Sequence, residues 1–160
     1  MVLTNIRPYQ PKDAALLGAI FFDAVRKAGV RDYSEAQVVA WAPSIPGRTW
    51  FEARAADGRW ILVAVNKADE PIAYGDLEPN GHIDHLYCCP EMIGIGIASA
   101  LYDRLEQQAR DRGITRVFAE ASEAARRLFL RKGFAELKRR DLILRGMKIH
   151  NYLMEKLLSG

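Results

Sequence analysis

Apolar residues recur along the chain with two periods, near 3.6 and near 2, and the switches between them mark out its elements. LTNIRPY, residues 3–9, reads as a first strand. Asp13 then caps a helix in which Leu16, Leu17, Ile20, Phe21 and Val25 return at helical spacing until Gly29 stops it. Ser34 and Glu35 open a second helix, SEAQVVAWA, which ends before Pro43, and a short helical or irregular piece follows around TWFEARA. RWILVAVN, PIAYGDLE and HIDHLYCC are three strand-like runs parted by the turn-rich KADE and PNG, which predicts an antiparallel meander. Ile97 to Arg112 is helical in period and closes at Gly113. TRVFAEA is a strand, EAARRLFLRK a helix, and two last strands fit around AELKRRDLIL and HNYLMEKLL.

Strands followed by interleaved helices, with no repeat and no linker-like shift in composition, give an α+β chain forming one domain, residues 1–160. At 160 residues and 49% hydrophobic content it can bury a core without staples. No apolar run approaches the roughly 20 residues that cross a bilayer, and MVLTNIRPYQ lacks the charged-then-apolar order of a secretion signal. The expectation is a cytoplasmic protein with no membrane partner. The two cysteines, Cys88 and Cys89, are adjacent, a spacing that suits neither a structural bridge nor a zinc site, so both read as small hydrophobes and no metal is expected. A net charge of +3 with acids mixed among the bases gives no sign of a nucleic-acid partner.

Chemistry concentrates where the third strand of the meander meets the next helix. Gly94 and Gly96 stand at that junction. The first amides of a helix have no partner within it and carry the positive end of its dipole, so a glycine turn feeding a helix binds anions. A strand-to-helix turn that needs glycine only for its dihedrals accounts for such a pair equally well. A nucleotide phosphate loop requires lysine and a hydroxyl residue after the second glycine, whereas Gly96 is followed by Ile97 and Ala98. GIGIAS is nearer the dinucleotide fingerprint, with Glu120 ending the next strand. Ser99 at the third glycine position and the meander before the loop weigh against it.

The same residues resemble the GNAT superfamily of N-acetyltransferases. Ile93-Gly94-Ile95-Gly96-Ile97-Ala98 fits that family's (Arg or Gln)-x-x-Gly-x-(Gly or Ala) signature except at its first position, and Ser122, Ala125, Phe129, Gly133 and Phe134 match its downstream pattern. DYSEAQVVAWAP is similar to the second helix of a subgroup of small bacterial acetyltransferases. The resemblance implies a mixed, mostly antiparallel sheet of about seven strands flanked by about four helices. It implies acetyl-CoA as acetyl donor, transferred by direct attack to the amine of a small molecule or a protein, and it leaves a homodimer open. The pantetheine arm would lie along Leu86, Tyr87 and Cys88, and the pyrophosphate on the amides of Ile93, Gly94, Ile95, Gly96, Ile97, Ala98 and Ser99, with Ser122 and Phe129 on the cofactor side. Two positions depart from the family. Ile93 removes a polar contact near the phosphates, for which Arg126, Arg127, Arg131 or Lys132 are candidate replacements. Phe129 stands where many members carry the tyrosine that protonates the departing thiolate; water or Tyr87 is left for that role. These losses motivate an alternative, a non-catalytic acyl-CoA-binding regulatory module.

An amine with a lysine-like pKa of about 10.4 is mostly protonated at neutral pH, so a base helps. By alternation along HIDHLYC, His82, Asp84, Leu86 and Cys88 share one face and Ile83, His85 and Tyr87 the other. Asp84 is the first candidate base, His82 the second and Glu120 a further one, beside plain hydrogen-bonded or exposed roles for each. A metal cluster of His82, Asp84 and His85 is set aside because His85 points away. Tyr33, Trp41 and Trp50 are candidates for the acceptor wall, although aromatics at such spacing more often belong to a core.

Overall fold

The computed structural model describes residues 5–159; Leu3 and Thr4 of the expected first strand lie outside them. In chain order it has β1 (Asn5–Pro8), α1 (Ala14–Asp23), α2 (Glu35–Trp41), α3 (Arg48–Ala55), β2 (Trp60–Val65), β3 (Pro71–Leu77), β4 (Leu86–Cys88), α4 (Ile97–Asp111), β5 (Arg116–Ala121), α5 (Glu123–Arg131), β6 (Ala135–Leu144) and β7 (Met147–Leu157). The short piece around TWFEARA is thus a full helix, α3, and raises the helix number above the expected four.

The seven strands form two antiparallel sheets, ordered β1-β2-β3-β4 and β5-β7-β6. β4 and β5 diverge. Among the described residues, one parallel bridge, His82 to Phe118, joins the two sheets beyond the start of β4. The wedge between these two strands is where the site forms.

Apolar side chains cover both faces of the first sheet, which is why β2 is a continuous run, WILVAV, instead of an alternating one. Leu62 and Ala64 join Leu101 and Leu105 of α4 on one face, while Ile61, Val63 and Val65 join Leu17, Phe21 and Phe51 of α1 and α3 on the other. Burying a side chain of this size contributes about 1.5–3 kcal/mol, so both clusters are needed to hold the helices on the sheet.

Two local expectations are corrected. Asp13 does not cap α1: its buried carboxylate accepts a hydrogen bond from the Gln10 amide and pairs with Arg7, closing a capping box around the 3-10 turn Pro11–Asp13 that leads into the helix. The helix signal therefore starts one turn earlier. At its other end α1 loosens into a π-helical turn, Ala24–Ala28, before Gly29. The second helix opens at Ser34 as expected, and a capping box closes its end, with Ser34 Oγ accepting from the Gln37 amide at 3.1 Å.

The second correction concerns HIDHLYCC, which is regular strand only from Leu86. The Glu78 amide donates to the His82 carbonyl and the Asp76 amide to the His85 carbonyl, so three residue steps face two across the pair, the signature of a bulge. Asp76, 1% exposed, holds the bulge: its Oδ1 accepts from the amides of Asp84 and His85, each at 2.9 Å. Strict alternation ends there. Ile83 enters the α4-side core, and His82, Asp84 and His85 all border one cleft, so His85 does not point away from the other two.

Candidate functional site

Gly94 and Gly96 have φ of +90° and +91°, in the left-handed region that side chains resist. A Cβ at either would meet nothing within 4 Å, so backbone conformation, not crowding, selects glycine here. Gly96 precedes the fifteen-residue α4. Its carbonyl accepts the Ala100 amide, which leaves the amides of Ile97, Ala98 and Ser99 as the orphan donors of that helix end.

Those amides open on a cavity of about 530 Å³ in the wedge between β4 and α5. Leu86, Tyr87 and Cys88 border it on one side, and Ile93, Gly94 and Gly96 at the loop. Ile97, Ala98 and Ser99 follow at the start of α4, with Ser122 opposite. Ser122 also caps α5, its Oγ accepting from the Ala125 amide, which explains the spacing of those two residues. Two expected members are absent from this lining. Ile95 is 51% exposed, because the two left-handed glycines on either side swing the chain between them outward. Phe129 is in the core, packed on Tyr102 and Phe134, because helical periodicity along α5 brings Ala125 and Leu128 to the cleft instead.

The four bases named for the phosphates separate clearly. Arg126 pairs with Glu136, Arg127 with Asp32, and Lys132 with Asp103. Arg131 borders the cavity and has no ion pair or hydrogen bond among the described residues. Burial and the neighbouring Cys89 push the Cys88 thiol up to about 12, so it stays a thiol at neutral pH, as a small hydrophobe would.

A second cavity, about 660 Å³, opens on the other side of the same strands. Tyr33, Trp41, Tyr87 and Ser122 border both cavities, so the two meet at these four residues. Tyr33 is fixed there: its hydroxyl accepts from the Glu123 amide at 3.0 Å and donates to the His150 carbonyl at 3.1 Å, and burial raises its pKa to about 12. Burial likewise raises Tyr87, whose ring centroid is 6.4 Å from that of Trp41. Trp50 lies on the wall of the second cavity, beneath the Arg54 guanidinium at 4.6 Å.

His82, Asp84 and Glu120 come together on the floor of this cavity. His82 is held between Glu78 and Glu120, 2.5 Å from the latter, and the hydrogen bond it donates to Glu120 raises its pKa to about 9 against the opposing effect of burial. The same bond lowers Glu120. Asp84 is 2.8 Å from Arg54 and 3.3 Å from Arg59. Burial opposes its ionisation, but positive charge around it, from His85, Arg54 and His82, outweighs burial and lowers its pKa. Burial drives His85 itself down to about 4, so near pH 7 Arg54 is the partner that matters. Among the described residues, no group of three or more His, Cys, Asp or Glu is arranged to hold a metal ion.

Four residues of this site carried no signal in the sequence. Arg54 and Asp76 read as ordinary solvated charges on a helix and a strand, while Arg140 and Asn151 sit on late strands with no motif around them. The register of β3 with its bulge sets Asp76, and with it Arg54, behind Asp84, and that of β6 with β7 brings Arg140 and Asn151 to the cavity.

Comparisons with known proteins show the family and the fold. Residues 30–156 match the acetyltransferase (GNAT) domain family. The chain is 32% identical over 150 residues to the uncharacterized N-acetyltransferase YafP of Escherichia coli K12, covering 94% of this chain and 93% of that protein. A GCN5-related N-acetyltransferase from Rhodopseudomonas palustris superposes with a TM-score of 0.89 at 32% identity, over 99% of this chain and 98% of that one. The phosphinothricin acetyltransferase of Sinorhizobium meliloti, solved with acetyl-CoA, shares the fold at 19% identity and a TM-score of 0.77, over 98% and 89% of the two chains.

Proposed function

The chain belongs to the GNAT superfamily of acetyltransferases, and we propose that it moves the acetyl group of acetyl-CoA to an amine of a small molecule or protein by direct attack. One observation carries this: the two cavities are separate except at Tyr33, Trp41, Tyr87 and Ser122, where a thioester from one side can meet an amine from the other. A module that only sensed coenzyme would need the first cavity alone.

In this reading the acetyl donor lies in the wedge as substrate. The orphan amides of Ile97, Ala98 and Ser99 take its phosphates, and Arg131 supplies the charge that Ile93 does not. The donor's arm follows Leu86, Tyr87 and Cys88 toward the meeting point. The amine arrives through the second cavity and must lose a proton before or during attack. His82, near 9, lies closest to an amine in basicity, whereas Asp84 and Glu120 are held weakly basic by the cations on them. His82 therefore takes the proton through water, once its imidazolium has been deprotonated and its contact with Glu120, the partner on the cavity side, has opened, while Glu78 holds its ring. Asp84 anchors Arg54, and with it the α3 wall that carries Trp50.

As nitrogen bonds to the carbonyl carbon, the carbon–sulfur bond breaks and sulfur keeps the electron pair. Phe129, apolar and buried, has no proton to give. Tyr87 offers a hydroxyl at the meeting point, and a thiolate whose thiol has a pKa of about 8.5 leaves acceptably with only a hydrogen bond from it.

A melting screen with acetyl-CoA and NAD tests the donor, since a ligand that binds the folded state raises the melting temperature. Stabilisation by acetyl-CoA and not by NAD, followed by thiol release with an amine, is the expected result. No response to acetyl-CoA would end the proposal.

A further inference from the structure

The Asn151 side-chain amide has no hydrogen-bond partner among the described residues, although its Oδ1 is buried and it borders the acceptor cavity. A buried acceptor left unpaired is costly, and native proteins carry few of them. Strand register shows what stands beside it. Arg140 of β6 is directly opposite Asn151 of β7, and Glu120 of β5 is opposite Leu153, two residues further along the same face. Ser122, at the meeting of the two cavities, follows Ala121, which pairs with Tyr152 next to Asn151. Asn151 is thus at the reacting end of the acceptor cavity. Arg140 approaches only Glu120, at 3.6 Å, and makes no hydrogen bond among the described residues, so its fixed fork of N–H donors is unfilled.

A side-chain amide presents one carbonyl acceptor beside one NH2 donor, and turning it over exchanges the two without removing either. Its complement is a ligand with N–H groups next to an anionic oxygen. Arg140 extends the anion-binding side. We propose that the acceptor is a free amino acid whose entry turns the unpaired Asn151 amide out of its closed position, so that Oδ1 accepts from the amine and Nδ2, together with Arg140, donates to the carboxylate. Asn151 is then a positioning and specificity residue, fixing the amine at the meeting point of the cavities. The inference rests on the acetyl-transfer reading above.

The test is acetyl-CoA-dependent thiol release with the twenty protein amino acids beside matched amines that lack the carboxylate: phenethylamine for phenylalanine, histamine for histidine, cadaverine for lysine. At least one amino acid should be acetylated with kcat/KM at least a hundredfold above its matched amine. Asn151→Ala and Arg140→Gln should each raise KM for that amino acid tenfold or more and leave KM for acetyl-CoA within twofold. Asn151→Asp, which sets an anion against the carboxylate, should be worse than Asn151→Ala. Matched amines used equally well, or amines used and no amino acid, would overturn the inference while acetyl transfer stands. Should no amine be turned over, the same panel is read by melting with CoA bound, and the absence of any amino-acid-dependent rise overturns it too. Failure of acetyl-CoA itself to bind removes the underlying reading, a separate result in the same screen.

Discussion

Arg54 of α3 reaches across to Asp76 of β3, and their side chains meet at 2.7 Å with the carboxylate 1% exposed. The contact ties α3, which carries Trp50 on the wall of the second cavity, to the bulge that turns His82, Asp84 and His85 toward that cavity. Arg59 completes the arrangement at 2.9 Å, so the one buried carboxylate is matched by two guanidinium groups and two backbone amides. Removing one member of such a buried set leaves charge without compensation, which typically costs about 3–5 kcal/mol. Asp76→Ala should therefore lower stability by that order in urea unfolding, and Asp76→Asn, which keeps an oxygen for the amides, by less. Equal and small effects would show that the bulge is held by other contacts.

At Gly96 a side chain would be forced into φ near +91°, a conformation costing roughly 1–2 kcal/mol for an L residue, and would project into the open space at the head of α4. Gly96→Val should keep the fold and weaken acetyl-CoA at least tenfold by calorimetry. Undiminished affinity would remove the loop from donor binding.

Arg131 and Arg126 make a matched pair of tests on one helix. Arg131→Gln, which removes an unpaired cation at the donor cavity, should raise KM for acetyl-CoA severalfold and flatten its salt dependence. Arg126→Gln, whose charge is already taken by Glu136, should change neither. Equal effects would mean that the general field of the helix matters and not the position of Arg131.

His82 links stability and rate to pH in opposite directions. Its pKa rises on folding from 6.5 to about 9, so its contribution is complete below pH 6.5 and is lost as pH climbs through 9. The stability margin of the wild type over His82→Gln should shrink across that window. Turnover should rise across it, as the imidazolium gives up its proton, and His82→Gln should flatten the profile. Asp84→Asn, which removes a negative charge that helps to raise His82, should lower the rate and move the profile toward lower pH; a profile flattened in that variant and not in His82→Gln would make Asp84 the base.

Much of the fold was legible because its signals are local. Ser34 and Glu35 opening a helix, Gly113 closing one, and the two periods of the apolar residues are set within a few positions, and most elements built on them stand where the sequence puts them. Gly94 and Gly96 were legible for the same reason. Asp13 was misread because a capping acid and a buried ion-pair partner look alike until Arg7 is brought beside it. Alternation along HIDHLYC failed because a bulge depends on a partner strand: Asp76 imposes it from eight residues away. Phe129 fitted a spacing, but which face of α5 meets the wedge depends on Tyr102 and Phe134. Arg140 and Asn151 required the pairing of β6 with β7, a long-range fact with no local trace.

The most direct measurement is a crystal structure with acetyl-CoA. The diphosphate should rest on the amides of Ile97, Ala98 and Ser99 with Arg131 beside it, and the thioester carbonyl should lie among Tyr33, Trp41, Tyr87 and Ser122, facing the acceptor cavity. Phosphates bound elsewhere, or a thioester outside that group of four, would contradict the account.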